Sequence, residues 1–382
     1  MDPNVDSSPD HVLLTLPYKL AQNKDILVDI YLPKNNPPGL NHLASVVYFH
    51  GGGLTVGNRK AWIPFWLLRR LHPAGVVFVS PDFRLIPPGT AHDILEDIVD
   101  LFTFLSTSVN NLISQSIPES RVRLNPDAIA VVGTSGGSLC AYLAAMHARP
   151  KPKAVLSMYG LGGNFFDPLY LTIKTEPFFL GREMIDPVDY SQWLYPQTHH
   201  NAPRSRAFTF PAEKEEPMLS DSPLAYHPPT HPTPGWPANP RMHLGRLYMQ
   251  LGEFLDYYTG RHDPSLSLQL RNVLLTAADD EDIDMRMKES IPEEDLPLFP
   301  QLHPTPHEWP PTLFIHGNLD RALKLQESLH LHGILRKAGA DVAMKIVDGQ
   351  DHSFDYQKDA EQLFGQTIFN EAAEFLVRRL YP

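Results

Sequence analysis

Gly133-Thr134-Ser135-Gly136-Gly137 follows directly on the apolar run Ala128-Ile129-Ala130-Val131-Val132 and precedes a helical stretch, Leu139–His147. A Gly-x-Ser-x-Gly set between a buried strand and a helix forms a nucleophile elbow. The turn is so tight that only glycine tolerates the crowding at its two flanking positions. It lifts the serine hydroxyl clear of the sheet and aims the next backbone N–H at the same spot. The pentapeptide by itself also fits a glycine-rich strand-to-helix turn with no chemistry. Its flanks, and the residues placed elsewhere in the chain, favour the elbow.

Short apolar, β-branched runs recur along the chain: Val12–Leu16, Ile26–Leu32, Ser45–Phe49, Val76–Val79, Ala128–Val132, Ala154–Met158, Thr312–Ile315 and Val342–Val347. The first two lie close together and alternate in character, as an antiparallel edge pair would. From Ser45 on the runs are continuous, which suits strands buried on both faces. Helical stretches separate them at Trp62–Leu71, Ile94–Leu105, Leu139–His147, Leu323–Lys337 and Ile368–Leu380. Strands alternating with helices predict an α/β fold with an eight-stranded, mostly parallel sheet.

About 150 residues separate the strands at Ala154 and Thr312, far more than one connection needs. More than half of the 38 prolines fall there. The expected organisation is a core of residues 1–160 and 311–382 with an inserted lid, 161–310, packed over the sheet edge. Within the insertion Leu244, Leu247, Tyr248, Leu251, Phe254, Leu255 and Tyr258 follow helical spacing, which predicts one helix over Met242–Tyr258 stopped by Gly260. The acidic run Asp279–Asp284 lacks the glycine of a calcium loop and reads as a solvated turn.

The formal charge of −12 argues against nucleic acid as a partner. Cys140 is the only cysteine, so no intrachain disulfide forms, which suits a reducing compartment. The polar N-terminus does not read as a secretory signal, and no apolar run approaches a membrane span. A cytoplasmic protein without integral membrane association is expected. The composition leaves the oligomeric state open.

His50-Gly51-Gly52-Gly53 follows the strand at Ser45–Phe49. Three glycines in a row leave backbone N–H groups uncovered, where they can stabilise negative charge developing on a carbonyl oxygen. A serine needs a base, and the chain has 18 histidines. The order serine, acid, histidine selects His352, in the loop after the last strand. His316, at a strand end, reads as a packed turn residue. His199, His200, His227, His231 and His243 read as lid surface. The orienting acid should follow the preceding strand, which selects Asp320. That residue could equally cap the turn at Ala322-Leu323. Asp348 and Asp351 share the His352 loop, and their reach to its ring is poorly set. A serine triad makes its own nucleophile, so neither a metal nor an organic cofactor is expected.

The elbow, the His-Gly-Gly-Gly run, Ser80-Pro81-Asp82-Phe83-Arg84-Leu85-Ile86-Pro87, and His316-Gly317-x-x-Asp320 with His352 resemble the hormone-sensitive-lipase-like branch of the α/β-hydrolases, most of all its fungal members. The resemblance implies carboxylester hydrolysis with Ser135 as nucleophile, His352 as base and Asp320 as acid. It also implies an oxyanion hole made by the N–H groups of Gly52, Gly53 and Gly136. Thr134 and Gly136 stand where the family usually has Asp and Ala. Asp82 and Arg84 match a motif read as a buried turn tying strand to helix. The aromatic-rich insertion suggests a small substrate with a bulky, uncharged, apolar ester or acyl group. The same triad would also serve an acyltransferase, or a cyclase or condensation catalyst in a fungal polyketide-type pathway. The family includes plant gibberellin receptors that have lost the catalytic histidine, and the presence of His352 disfavours a receptor.

Overall fold

The computed structural model describes residues 11–35, 37, 39–40, 42–195, 240–276 and 282–382. Its strands are β1 (His11–Ala21), β2 (Lys24–Pro33), β3 (His42–Phe49), β4 (Val77–Pro81), β5 (Arg123–Thr134), β6 (Val155–Met158), β7 (Thr312–Gly317) and β8 (Val342–Val347). They form one sheet in the order β1-β2-β4-β3-β5-β6-β7-β8. The pairings β1–β2 and β2–β4 are antiparallel and the rest are parallel. The expected eight-stranded, mostly parallel sheet is the one observed.

The continuous apolar runs are read by both faces of the sheet, with period two. Val47, Phe49, Ile129, Val131 and Val155 enter one core, while Val46, Tyr48, Ala130, Val132 and Leu156 enter the other. Helices α1 (Phe65–Leu71) and α12 (Asn370–Leu380) cover the second face, with Trp66 stacked on Phe369 at 4.1 Å. The first face carries α2 (Ala91–Thr107), α3 (Val109–Ser116), α4 (Gly136–His147) and α10 (Gln326–Lys337). The short α11 (Ala360–Phe364) precedes a π-turn that leads into α12.

Between β6 and β7 the chain leaves the sheet and builds α5 (Pro168–Leu171), α6 (Leu244–Leu251), α7 (Phe254–Thr259), α8 (Leu266–Thr276) and α9 (Ile283–Glu289). The single helix expected over Met242–Tyr258 is therefore two, preceded by a 3-10 turn at Pro240–His243. Gly252, at φ 64°, ends α6. Its N–H donates to Met249 O at 3.1 Å, and the Glu253 N–H donates to Tyr248 O at 2.8 Å. That pair of bonds is a Schellman cap, and it overrides the apolar periodicity that runs through it. Gly260, at φ 82°, ends α7 as expected. Phe165, Tyr170, Phe254, Tyr258 and Phe299 form an aromatic cluster continuous with the first core. His199, His200, His227, His231 and Trp236, and the start of the acidic run at Asp279, lie outside the described residues. Among the described residues no helix is long and apolar enough to cross a membrane, and no cluster of histidine, cysteine and carboxylate side chains could hold a metal ion.

Asp82 and Arg84 go separate ways. Arg84 ties the turn after β4 to α2, its Nη1 donating to Asp93 at 2.6 Å and its Nε to Asp97 at 3.0 Å. Asp82 instead holds Arg59, which follows the glycine run and also reaches Asp29 of β2 at 2.9 Å. The pair thus fastens the glycine loop as well as the helix.

Candidate active site

Ser135 joins β5 to α4 in a left-handed conformation, with φ 52° and ψ −123°. A Cβ at Gly133 would stand 2.3 Å from Gly137 O, and one at Gly137 would stand 2.0 Å from Phe49 O. Both flanking positions are therefore closed to any side chain. Thr134 is held by Tyr48, whose hydroxyl lies 3.0 Å from Thr134 Oγ1. Gly136 packs against the glycine loop, and a Cβ there would be 2.8 Å from Gly53 N. Glycine at 136 lets that loop come this close. As the first residue of α4, Gly136 has an N–H with no acceptor inside the helix.

His352 Nε2 lies 3.0 Å from Ser135 Oγ, and His352 Nδ1 lies 2.7 Å from Asp320 Oδ2. The other Asp320 oxygen accepts N–H bonds from Ala322 at 2.8 Å and Leu323 at 2.9 Å. The carboxylate thus hydrogen-bonds the imidazole through one oxygen and organises the turn ahead of α10 through the other. Burial works against its ionisation. The His352 charge and hydrogen bonds from His316 and His352 outweigh it and hold the carboxyl well below the usual carboxylate range. Asp351 does not reach the ring. It accepts from Arg321 N at 2.9 Å and His352 N at 2.8 Å, which pins the two loops together. Asp348 accepts from Asn318 Nδ2 at 2.7 Å.

The glycine loop crosses above Ser135. Gly52 (φ 97°) and Gly53 (φ 61°) line the same cavity as Ser135 and His352, and a Cβ at Gly52 would meet Val56 O at 2.1 Å. His50 is buried, stacked on Phe83 at 4.5 Å, with Nδ1 2.7 Å from Gly51 O. Burial lowers its pKa to about 4, so it is neutral and serves as packing.

Residues 46–224 match the alpha/beta hydrolase fold family, and residues 273–372 match the prolyl oligopeptidase family. The Pyrobaculum calidifontis esterase superposes with a TM-score of 0.54 at 15% identity, over 97% of this chain and 86% of that one. The chain has the α/β-hydrolase fold. A probable carboxylesterase M8 of a Phoma species is 28% identical over 146 residues, 37% of this chain and 45% of that protein. A non-reducing polyketide synthase, ausA of Aspergillus calidoustus, is 27% identical over 378 residues, 95% of this chain but 14% of the synthase. The chain thus spans less than half the length of either of these curated relatives. In fold and in what it is similar to, it is carboxylesterase-like.

Three further residues of the chain shape the site. His316 is packed at the end of β7 as expected, but its ring also reaches the acid. Nε2 lies 3.1 Å from Asp320 Oδ2 and 2.9 Å from Leu323 O, while Nδ1 lies 2.8 Å from Ser328 Oγ. Two acceptors at Nε2 put the proton there, and Nδ1 accepts from Ser328. The motif His-Gly-x-x-Asp carried that signal, since β7 and its turn return residue i+4 to the strand end. Asp355 is buried behind His352, accepting from Tyr159 Oη at 2.6 Å and Trp66 Nε1 at 3.1 Å. Burial raises its pKa to about 6, and Tyr159 sets its ring edge-on to His352 at 4.7 Å. Arg241 is buried and gave no signal in the sequence, because nothing in its neighbourhood predicts a long-range carbonyl partner. Its Nη2 donates to Pro87 O at 2.7 Å and to Ile86 O at 3.1 Å, tying the start of α6 to the loop after β4.

The cavity above Ser135 measures about 220 Å³. Phe179, Met242, Gly245 and Met249 of the β6–β7 segment line it together with Trp62 and Tyr356. A cavity of about 150 Å³ accepts a benzene ring. A ring or a branched chain therefore fits here beside the serine.

Proposed function

We propose that this protein hydrolyses carboxylic esters of bulky apolar groups, with Ser135 as nucleophile, His352 as general base and Asp320 as orienting acid. The single observation that carries the reading is the relay Ser135 Oγ–His352 Nε2–Asp320, at 3.0 and 2.7 Å, beneath the glycine loop. Ser135 Oγ attacks the ester carbonyl carbon as His352 Nε2 takes its proton. Asp320 keeps the other imidazole proton on Nδ1 and stabilises the imidazolium. The carbonyl oxygen, now negative, is received by the N–H groups of Gly52, Gly53 and Gly136. Collapse breaks the C–O bond, and the leaving alkoxide takes the proton from His352 Nε2. Water then repeats the sequence on the acyl-enzyme, releasing the acid and restoring Ser135. The segment between β6 and β7 serves as a lid over this chemistry.

A second reading is supported by the synthase similarity, which runs through nearly the whole chain at 27% identity. In it the acyl group passes to an alcohol, amine or carbon nucleophile of a polyketide-type substrate instead of to water. The test uses a 4-nitrophenyl ester series and a serine-reactive fluorophosphonate. Ester turnover and labelling that both vanish in Ser135→Ala fit hydrolysis. Labelling without turnover moves the assignment to acyl transfer. Turnover that survives in Ser135→Ala removes both readings.

A further inference from the structure

Trp62 lines the cavity, and its backbone is strained there. Its φ is 50°, in the left-handed region, where a bulky side chain is an outlier. Such a conformation persists only where the surroundings over-determine it, and residues held this way cluster at ligand sites.

Two hydroxyls hold the backbone. The Trp62 carbonyl accepts hydrogen bonds from Tyr48 Oη and from Tyr356 Oη. A carbonyl has two lone pairs and no proton, so both tyrosines donate. That engages the one hydroxyl proton of Tyr48, so Thr134 is the donor in the 3.0 Å bond between Thr134 Oγ1 and Tyr48 Oη. Thr134 precedes the serine, and Tyr356 stands four residues past His352. The Trp62 carbonyl therefore joins the elbow, through Tyr48, to the histidine loop. The side chain is seated on the far end of the glycine loop. Trp62 and Met242 pack against Val56 and Ala61, and a Cβ at Gly57 (φ 121°) would stand 3.1 Å from Trp62 Cζ3. Trp62 stays half-buried, and the cavity that it borders is lined by Tyr159, Phe179 and Tyr356 as well. Burial alone favours a saturated ring slightly over a flat one, because the saturated ring has more apolar area. A fixed aromatic surface reverses that order, since offset-stacked and edge-to-face ring pairs add to area burial.

We propose that Trp62 is a specificity-determining residue, which selects substrates carrying a planar aromatic ring over those carrying a saturated ring of the same size. This rests on the proposed acyl chemistry at Ser135 and narrows its bulky apolar group to an aromatic one. Tyr48 and Tyr356 are positioning residues that act through the Trp62 carbonyl.

The experiment compares matched esters whose ring is two methylenes from the reacting group, so that chemical reactivity is equal. On the acyl side the pair is methyl 3-phenylpropanoate against methyl 3-cyclohexylpropanoate. On the alcohol side it is 2-phenylethyl acetate against 2-cyclohexylethyl acetate. A phenyl-over-cyclohexyl ratio in kcat/KM of about threefold or more is expected for at least one pair, and that pair shows which side of the ester meets Trp62. Taken within each protein, the ratio cancels any loss of folded enzyme. It should fall to unity or below in Trp62→Leu and be partly retained in Trp62→Phe. It should also fall in Tyr48→Phe/Tyr356→Phe, with the loss in the KM of the phenyl ester, because the ring contact is made before and during reaction alike. Wild-type ratios at or below unity for both pairs overturn the proposal, as does a ratio unchanged in Trp62→Leu. A ratio unchanged in the double tyrosine variant overturns the positioning role of the two hydroxyls. Calorimetric binding of 3-phenylpropanamide against 3-cyclohexylpropanamide to Ser135→Ala, with 2-phenylethanol against 2-cyclohexylethanol, reads the preference without turnover. Absence of hydrolysis with the binding preference intact removes only the acyl chemistry at Ser135. Hydrolysis without any ring preference removes only the assignment of Trp62.

Discussion

Arg241 and Thr55 bind each other in both directions: Arg241 Nε donates to Thr55 O at 2.8 Å, and Thr55 Oγ1 donates to Arg241 O at 3.1 Å. Thr55 stands two residues beyond the glycine run, so this pair ties the start of α6 to the glycine loop. Arg241→Met keeps the aliphatic bulk and leaves three buried carbonyls without their donor. Each orphaned group costs about 1–3 kcal/mol. A fall in Tm together with at least a tenfold loss of kcat/KM is expected. Unchanged thermal melting and ester turnover would show that the clamp does not hold the loop.

Ser135→Ala should lower turnover by roughly 10⁴–10⁶-fold with the fold retained. Circular dichroism and single-turnover acylation check it. Asp320→Asn should cost less, about 10⁴-fold, because it disturbs the imidazole tautomer while the base remains.

The pH dependence follows from the charge on the relay. His352 must be neutral to accept the serine proton, so kcat/KM should rise from acidic pH and level off. Asp320, held below the ordinary carboxylate range, stays ionised through that rise. The acid limb should then have the slope of one proton. A depressed carboxylate contributes stability above its unfolded value, and that stability is lost as pH falls through the folded value. Asp320→Asn should therefore flatten the acid side of a Tm–pH curve. A two-proton limb in the wild type would contradict the assignment.

His316 reaches Asp320, so its replacement should be felt at the proposed relay. Replacing it with Phe removes the donor at 3.1 Å and leaves Ser328 and Leu323 O unpaired. A charge-assisted bond of this kind is worth about 1.5–3 kcal/mol, so kcat should fall about 10- to 100-fold. The acid limb of the pH profile should move as well, since the carboxylate loses one of its stabilising donors. His316→Gln, which retains an N–H donor, should recover part of the rate. A loss of stability with no change in the pH profile would reduce His316 to packing.

Glu327 is buried at the start of α10, and its Oε2 accepts N–H bonds from Gly162 at 3.2 Å, Gly163 at 3.0 Å and Asn164 at 3.3 Å. Burial raises its pKa to about 8. The folded state therefore holds a proton that the unfolded chain has given up, between the ordinary carboxylate value and about 8. Its contribution is full below that window and falls as pH rises through it. Glu327→Gln should flatten the decline in Tm between pH 5 and 8. An identical slope in both proteins would refute this.

The strands were legible because burial on both faces leaves an unbroken apolar run that few other structures need. β1 runs past its predicted end at Leu16 to Ala21, through a register shift between Pro17 and Lys19 that no periodicity reveals. α3 escapes the sequence because Val109 and Ile113 are its only buried residues and, Leu112 apart, the rest of it is polar. The split of the long helix at Gly252 shows how a cap outweighs a stripe. Chain order, not distance in sequence, marked the site: His352 stands 217 residues from Ser135 and 32 from Asp320, yet hydrogen-bonds both. Arg241 carries no sequence pattern, and only the folded backbone shows what lies opposite it.

The aromatic cluster of the β6–β7 segment also limits how a molecule can get in and out. Phe165, Tyr170, Phe254, Tyr258 and Phe299 belong to the same core as α2 and α4. Swinging the whole segment away would wet every one of these rings, at several kcal/mol for each. That motion is too rare to serve turnover. The hairpin Phe178–Arg182 is closed by one narrow bridge and joined to Arg321 by a backbone bond, and its Phe178 and Phe179 rings pack only partly buried against that core. A path to Ser135 that opened beside this hairpin would leave the five clustered rings dry.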